Sequence, residues 1–217
     1  MRIGYSEAIS TVLSVDDASD AACGRAIWAA RAQSPFVVGS QGVEMALVEH
    51  WQQSGQLAKL APPVGIGRSE RMMSVSGSVS PTTADQITWS TANGFAGIAL
   101  DATLICQGED GMQKIIAQGV ERSVEALSQG LDPLVFTAAG PDDPAVSKFR
   151  EVVAAADMKM SDANRLVGEI LGRVLHATLS KTGVRRAVVS GGDTSGFATQ
   201  QLGIYALSAL APTIPGA

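Results

Sequence analysis

The chain is poor in the residues that most often announce a chemistry. Of 217 residues only 2 are cysteine and 2 are histidine, and aromatics make up 5%. Cys23 and Cys106 stand far apart with no partner motif, which excludes a disulfide framework or a thiolate zinc site and leaves reduced, buried thiols of a cytoplasmic protein as the expectation. His50 and His176 are isolated, with no serine or cysteine nucleophile spaced around them, and are expected to be solvated helix residues. Positive charge is also scarce: 16 Lys and Arg against 21 Asp and Glu give a net charge of −5. That argues against nucleic acid as a partner, because such proteins carry a basic face. No apolar run approaches the roughly 18 residues a membrane span needs, and the first residues lack a signal-peptide core. Neither a Gly-x-x-x-x-Gly-Lys-Ser/Thr loop nor the dinucleotide fingerprint occurs.

What the chain has in quantity is glycine, 23 residues, within a composition that is 46% hydrophobic. Much of the small-residue content gathers at three places where an apolar run meets a loop and then a helical pattern. Ala187-Val188-Val189 reads as a short buried strand feeding Ser190-Gly191-Gly192-Asp193-Thr194-Ser195-Gly196, with a helix expected over 197–210. Ser74 to Pro81 precedes a helix over 82–92, with Ser80 as its N-cap and Pro81 at the first helical position, where a missing N–H costs nothing. Phe36-Val37-Val38 runs into Gly39-Ser40-Gln41-Gly42 and a helix over 43–51. The start of a helix leaves N–H groups without partners and carries partial positive charge, so loops of this kind suit phosphate oxygens.

The remaining pattern alternates strand and helix. A strand is expected over 11–15, an alanine-rich helix over 18–32, a strand at 95–100, a short apolar run at 103–106 and a strand at 134–137. Residues 112–129 carry Ile115, Ile116, Val120, Val124 and Leu127 on one face, with Gly130 at the C-terminal stop. Residues 162–181 give the clearest helix, with Leu166, Ile170, Leu171, Val174 and Leu175 in one stripe and Gly183 ending it. Alternation of this kind predicts an α/β fold with a mostly parallel sheet covered on both faces in three layers, plus a partial N-terminal β-α-β-α unit. Ligands of such sheets sit beyond the carboxyl ends of the strands, where these loops fall. The Gly- and Pro-containing stretch 55–70 reads as a linker between residues 1–54 and residues 71–217.

Three segments in order, residues 36–47, 75–83 and 189–196, make the chain resemble the four-carbon acid sugar kinase family over about its whole length. The resemblance implies phosphorylation of the terminal hydroxyl of a threonate-, erythronate- or 3-oxo-tetronate-like acid by ATP with Mg²⁺. It implies that residues 1–54 are the end of an acid-sugar-binding domain and residues 71–217 most of a nucleotide-binding domain. Ser76, Ser78 and Ser80 match the family's nucleotide-contacting loop, and Gly191, Gly192, Asp193, Thr194 and Ser195 its phosphate loop. Gly39, Ser40, Gln41 and Gly42 match a loop on the substrate side. The family's opening Asp-Asp-Leu-Thr-Gly-Ala-like motif and its closing Lys-Ser-Gly-Asn-Phe-Gly-like strand have no counterpart here. The expectation is therefore a shortened gene product, an expressed piece or one half of a split enzyme, with the general base unassigned.

Two residues keep two readings each. Asp193 is either a Mg²⁺ contact or an N-cap carboxylate, and Asp101 is either a ribose or metal contact or a turn former. Trp28, Trp51 and Trp89 are expected to pack at the core's edges. The partners expected are a small acid sugar and ATP, with a homo-oligomer or a complementing N-terminal domain as further possibilities. The rival to an active kinase portion is a non-catalytic nucleotide- or phosphometabolite-binding remnant. A phosphosugar isomerase is a weaker third reading, because neither histidine is placed as its base.

Overall fold

The computed structural model describes residues 19–59, 61, 65, 67–208 and 210. The strand expected over 11–15 lies outside them. The chain divides into two compact units, Met1–Pro62 and Pro63–Ala217.

The described part of the first unit is a helical pair. Helix α1, Asp20–Ala30, starts where Ser19 Oγ accepts from Ala22 N, and α2, Gln41–Gln53, starts where Ser40 Oγ accepts from Gly42 N at 3.4 Å. The two helices meet at Gly24, where a Cβ would overlap the carbonyl of Ala46, so their approach depends on a missing side chain. Trp28 and Trp51 pack edge to face at 5.4 Å, with the His50 ring 6.2 Å from Trp28. His50 Nε2 and Trp51 Nε1 are buried without partners, so His50 packs in the pair and is not the solvated residue expected of it. The strand expected at Phe36-Val37-Val38 is absent. The segment pairs with no strand among the described residues, and Phe36 and Val38 are 88% and 99% exposed.

The second unit is an α/β sandwich on a four-stranded, wholly parallel sheet. Its strands are β1 (Met73–Ser76), β2 (Phe95–Ala99), β3 (Asp132–Phe136) and β4 (Ala187–Ser190), in the order β2-β3-β1-β4. Side chains alternate across it, as a period of two requires. Met73, Val75, Ile98 and Val135 face one side, and Leu134 and Phe136 face the other. Helix α3, Pro81–Ala92, covers the second face through Ile87. The first face is covered by α4, Glu109–Ser128, and α6, Met160–Thr182, which contributes Ile170, Leu171, Val174 and Leu175 to the core. Gly119 of α4 sits against Val174, where a Cβ would come within 2.9 Å of its side chain.

Several helix boundaries follow from capping. Ser80 accepts from Thr83 N at 3.1 Å with Pro81 behind it, as read from the sequence. Gly183 ends α6 at φ 73°, a left-handed conformation that glycine adopts freely. The apolar run at 103–106 is a 3₁₀ helix, Ala102–Gln107, capped by Asp101. Helix α4 starts at Glu109, three residues before the apolar pattern of 112–129 suggested. The last helix, α7 (Gly192–Gln201), begins five residues earlier than its hydrophobic pattern suggested. Gly191 turns at φ 117° and its carbonyl already accepts from Ser195 N. It also ends well short of Leu210. Gly203 turns at φ 68° while its N–H donates to Gln200 O and that of Ile204 to Thr199 O, closing the helix.

Helix α5, Pro144–Ala155, was not expected from its apolar pattern, although Asp143-Pro144 repeats the Ser80-Pro81 cap signal. Asp143 is the clamp that places it: Oδ1 accepts from Ala145 N at 2.9 Å and Oδ2 from Ala139 N at 2.7 Å. Those two bonds, the Ala139 one foremost, hold its carboxyl below the ordinary 3.8. A depressed carboxylate stabilises the fold above its unfolded pKa, and that contribution is lost as pH falls through the folded value. Asp143→Ala is expected to cost about 1 kcal/mol near neutral pH, typical of a lost cap. In urea unfolding the deficit against wild type narrows on acidification below pH 3.8.

Candidate functional site

The strand order makes a crevice. β1 lies between β3 and β4, and the helices that follow β1 and β4 pack on opposite faces of the sheet. After β1 the chain enters α3 on the second face. After β4 it enters α7, which packs on α6 of the first face, with Phe197 and Ala198 seated against Gly168 and Gly172. Adjacent parallel strands whose helices diverge leave a gap beyond their carboxyl ends, and ligands bind there in sheets of this kind.

A cavity of about 360 Å³ occupies this place. Its sheet end is lined by Gly77, Ser78 and Val79 after β1, Thr137 and Ala138 after β3, and Gly191, Gly192, Asp193 and Thr194 after β4. Its other end lies between α5 and α6, with Val146, Phe149, Met160 and Val167 among its walls. Two side chains able to make strong polar contacts project from those helices, Arg150 and Asn164.

The two glycine-bearing loops are held together directly. Gly77 N donates to Ser190 O at 3.1 Å, extending the β1–β4 ladder by one residue. A Cβ on Gly77 would overlap Thr194 Oγ1, and one on Gly191 would come within 3.3 Å of Ser78 N. Glycine is required at both positions for the loops to touch.

The amides around this contact carry the chemistry. The N–H groups of Ser78, Val79, Gly192, Asp193 and Thr194 donate to no acceptor among the described residues, and all five residues line the cavity. Gly191, the N-cap of α7, has no side chain to satisfy that helix's first turn. An anion placed there gains hydrogen bonds and the favourable end of the helix dipole. Arg150 makes no ion pair or hydrogen bond with any described residue and is the one cationic residue of the lining.

The sequence-derived candidates divide. Ser78, Gly191, Gly192, Asp193 and Thr194 come together at the cavity. Ser76, Ser80 and Ser195 do not line it. Ser76 is the last residue of β1, 2% exposed, with its hydroxyl buried and unpartnered. Ser80 is occupied as the cap of α3, bonded to Thr83 N and Thr83 Oγ1. Ser195 turns its hydroxyl back to Gly191 O at 2.6 Å. Ser78 lines the cavity while sharing its hydroxyl with Thr83 Oγ1 at 2.7 Å. Gly39, Ser40, Gln41 and Gly42 lie in the first unit, where Ser40 caps α2.

Asp193 is not an N-cap. It is the second residue of α7, behind the N-cap Gly191, and its carboxylate accepts no hydrogen bond from any described residue, which removes one of its two readings. Asp101 is a turn former: it accepts from Thr103 N and Thr103 Oγ1 and pairs with Lys148 Nζ at 3.2 Å. The Thr103 hydroxyl, more than Lys148, draws its pKa below the ordinary value. Among the described residues no three or more His, Cys, Asp or Glu side chains gather to hold a metal ion. Asp193 alone on the cavity wall still suits Mg²⁺ that arrives on phosphate oxygens, since that ion commonly takes one or two protein carboxylates and keeps the rest of its shell in phosphate and water.

Other expectations needed correction. Trp89 is 65% exposed and packs no core edge; neither cysteine is in a disulfide, as expected, but both are half-buried rather than buried, with burial raising the Cys106 thiol. His176 is exposed on α6, as expected. Arg150 and Phe149 are not legible in the sequence as site residues because α5 announces itself only by its Asp143-Pro144 cap, and Asn164 is a single polar residue on a helix defined by its apolar stripe.

The family described as "Nucleotide-binding C-terminal domain" matches residues 73–217. The chain is 37% identical over 203 residues to a 3-oxo-isoapionate kinase of Paraburkholderia graminis, covering 94% of this chain and 43% of that protein. It is 32% identical to a 3-oxo-tetronate kinase of Escherichia coli K12, covering 83% and 43%, and 27% identical to one of Cupriavidus necator, covering 85% and 40%. The chain thus spans less than half the length of these relatives. A crystallised chain from Salmonella typhimurium LT2 superposes with a TM-score of 0.55 at 23% identity, over 87% of this chain and 41% of that one, which shows a shared fold. On this evidence the chain belongs to the four-carbon acid sugar kinase family, with residues 73–217 matching the family's nucleotide-binding C-terminal domain.

Proposed function

We propose that this chain provides the nucleotide-binding part of an ATP-dependent kinase for a small acid sugar of the 3-oxo-tetronate or 3-oxo-isoapionate class. The observation that carries the reading is the set of five unpaired amides around the Gly77–Thr194 contact. In this reading the amides of Ser78, Val79, Gly192, Asp193 and Thr194 hold the polyphosphate, and Arg150 adds the charge that a loop lysine supplies elsewhere. Names of relatives that phosphorylate acid sugars support the substrate class. Mg²⁺ bound with ATP would be held by Asp193 and phosphate oxygens, and it would neutralise charge on the transferring group.

Phosphoryl transfer asks a protein mainly for positioning and electrostatic stabilisation. The sugar's terminal hydroxyl oxygen forms a bond to the γ-phosphorus and gives up its proton, the bond to the bridging oxygen breaks, and ADP leaves. This chain's residues serve the ATP side of that exchange. Asp193 is the one carboxylate on the cavity wall and there is no histidine. That favours a second reading for the isolated chain, in which it binds nucleotide without turning over.

Mg-ATP at about a hundredfold its dissociation constant should add roughly 2.7 kcal/mol to the second unit, or about 5–11 °C in melting temperature. Equal stabilisation by an acid sugar phosphate, or none by either ligand, would contradict the proposal. Arg150→Ala should weaken ATP binding by roughly tenfold or more in calorimetry without lowering the melting temperature of the free protein, as expected for a charge-assisted contact made only to ligand.

A further inference from the structure

The sheet end of the cavity is polar backbone, and the end between α5 and α6 has a different chemistry. Met160, Asn164 and Val167 lie at i, i+4 and i+7 and so share one face of α6, opposite Val146 and Phe149 of α5. Met160 is 38% exposed, and Phe149 is only partly covered by the core. A ligand that has a polyanion at one end and a flat apolar ring at the other matches both ends together. Thioether and phenyl side chains both make favourable contacts with aromatic rings.

We infer that this end takes the purine of the nucleotide, and that Asn164 is the residue that reads the polar edge of the base. The inference rests on the polyphosphate reading of the amides. Asn164 makes no hydrogen bond to any described residue, so its carboxamide keeps a donor and an acceptor side by side for a ligand. On its N6/N7 edge adenine presents that same complementary pair, the N6 amino donor beside the N7 acceptor. The corresponding edge of guanine at N7 and O6 offers two acceptors. A carboxylate reverses the match: it only accepts, which suits the adjacent N1–H and N2–H donors of guanine. Replacing Asn164 therefore changes which base is held without altering the phosphate grip.

The test is calorimetric binding of ADP, GDP and inorganic tripolyphosphate to the full chain and to the Asn164→Leu and Asn164→Asp variants, each checked for native circular dichroism. The wild type is expected to prefer ADP. Asn164→Leu should weaken ADP by roughly tenfold or more, the size of one lost paired contact, with tripolyphosphate unchanged. Asn164→Asp should move the ADP-to-GDP ratio toward GDP, and either variant suffices if the other does not fold. An ADP-to-GDP ratio that is the same in all three proteins, or a wild type that does not distinguish the two, overturns the base-reading role and leaves the phosphate grip standing. Failure of both ADP and tripolyphosphate to bind the wild type overturns the phosphate reading and this inference with it.

Discussion

Everything at the site depends on two loops being able to touch without side chains between them. Gly77 N donates to Ser190 O one step beyond the end of the β1–β4 ladder, and the bare Cα of Gly77 lies where Thr194 Oγ1 would otherwise be displaced. That contact turns the helix start after β4 and the loop after β1 toward the same cavity. An amide that donates to another loop or to a cap is lost to a ligand. Here five of them donate to nothing among the described residues, because Gly191 offers no capping oxygen and the loop after β1 has left the ladder. Unpaired N–H groups are tolerated where water or an anion reaches them, and they are costly where neither does. Their clustering on a cavity wall is what gives the reading its weight.

The charge balance of the chain makes sense in the same terms. A net charge of −5 is a poor background for binding polyanions through side chains. A grip built from backbone dipoles does not need many lysines, and the cavity wall carries a single arginine on a helix fixed by the Asp143 clamp. The clamp joins fold to site: the same carboxylate caps α5 and pins Ala139, next to the lining residue Ala138, so the wall carrying Arg150 and the loop after β3 are held together.

Much of this was legible in the sequence, and the reasons are local. The α/β alternation, the Ser80-Pro81 cap, the Gly183 stop and the apolar stripe of α6 are rules that act within a few residues. The loops after β1 and β4 stood out because small residues cluster where an apolar run ends. What escaped depended on partners distant in sequence. Phe36-Val37-Val38 has a strand's composition, but a strand exists only if another pairs with it, and none of the described residues does. His50 looked solvated on its own helix and is half-buried, its Nε2 covered, where α1 brings Trp28 to it. Ser76 stands just before the loop but is the last residue of β1, and the alternation of two turns its side chain onto the α3 face of the sheet, away from the cavity. Arg150 and Asn164 became visible only when α5 and α6 were seen to share a cavity.

The most direct measurement is an amide-resolved NMR titration of the ¹⁵N-labelled chain with Mg-ATP and with inorganic tripolyphosphate. The account predicts that the amide signals of Ser78, Val79, Gly192, Asp193 and Thr194 move with both ligands, and that Gly77, already bonded to Ser190, moves less. Saturable binding that leaves those five signals in place while others shift would contradict it.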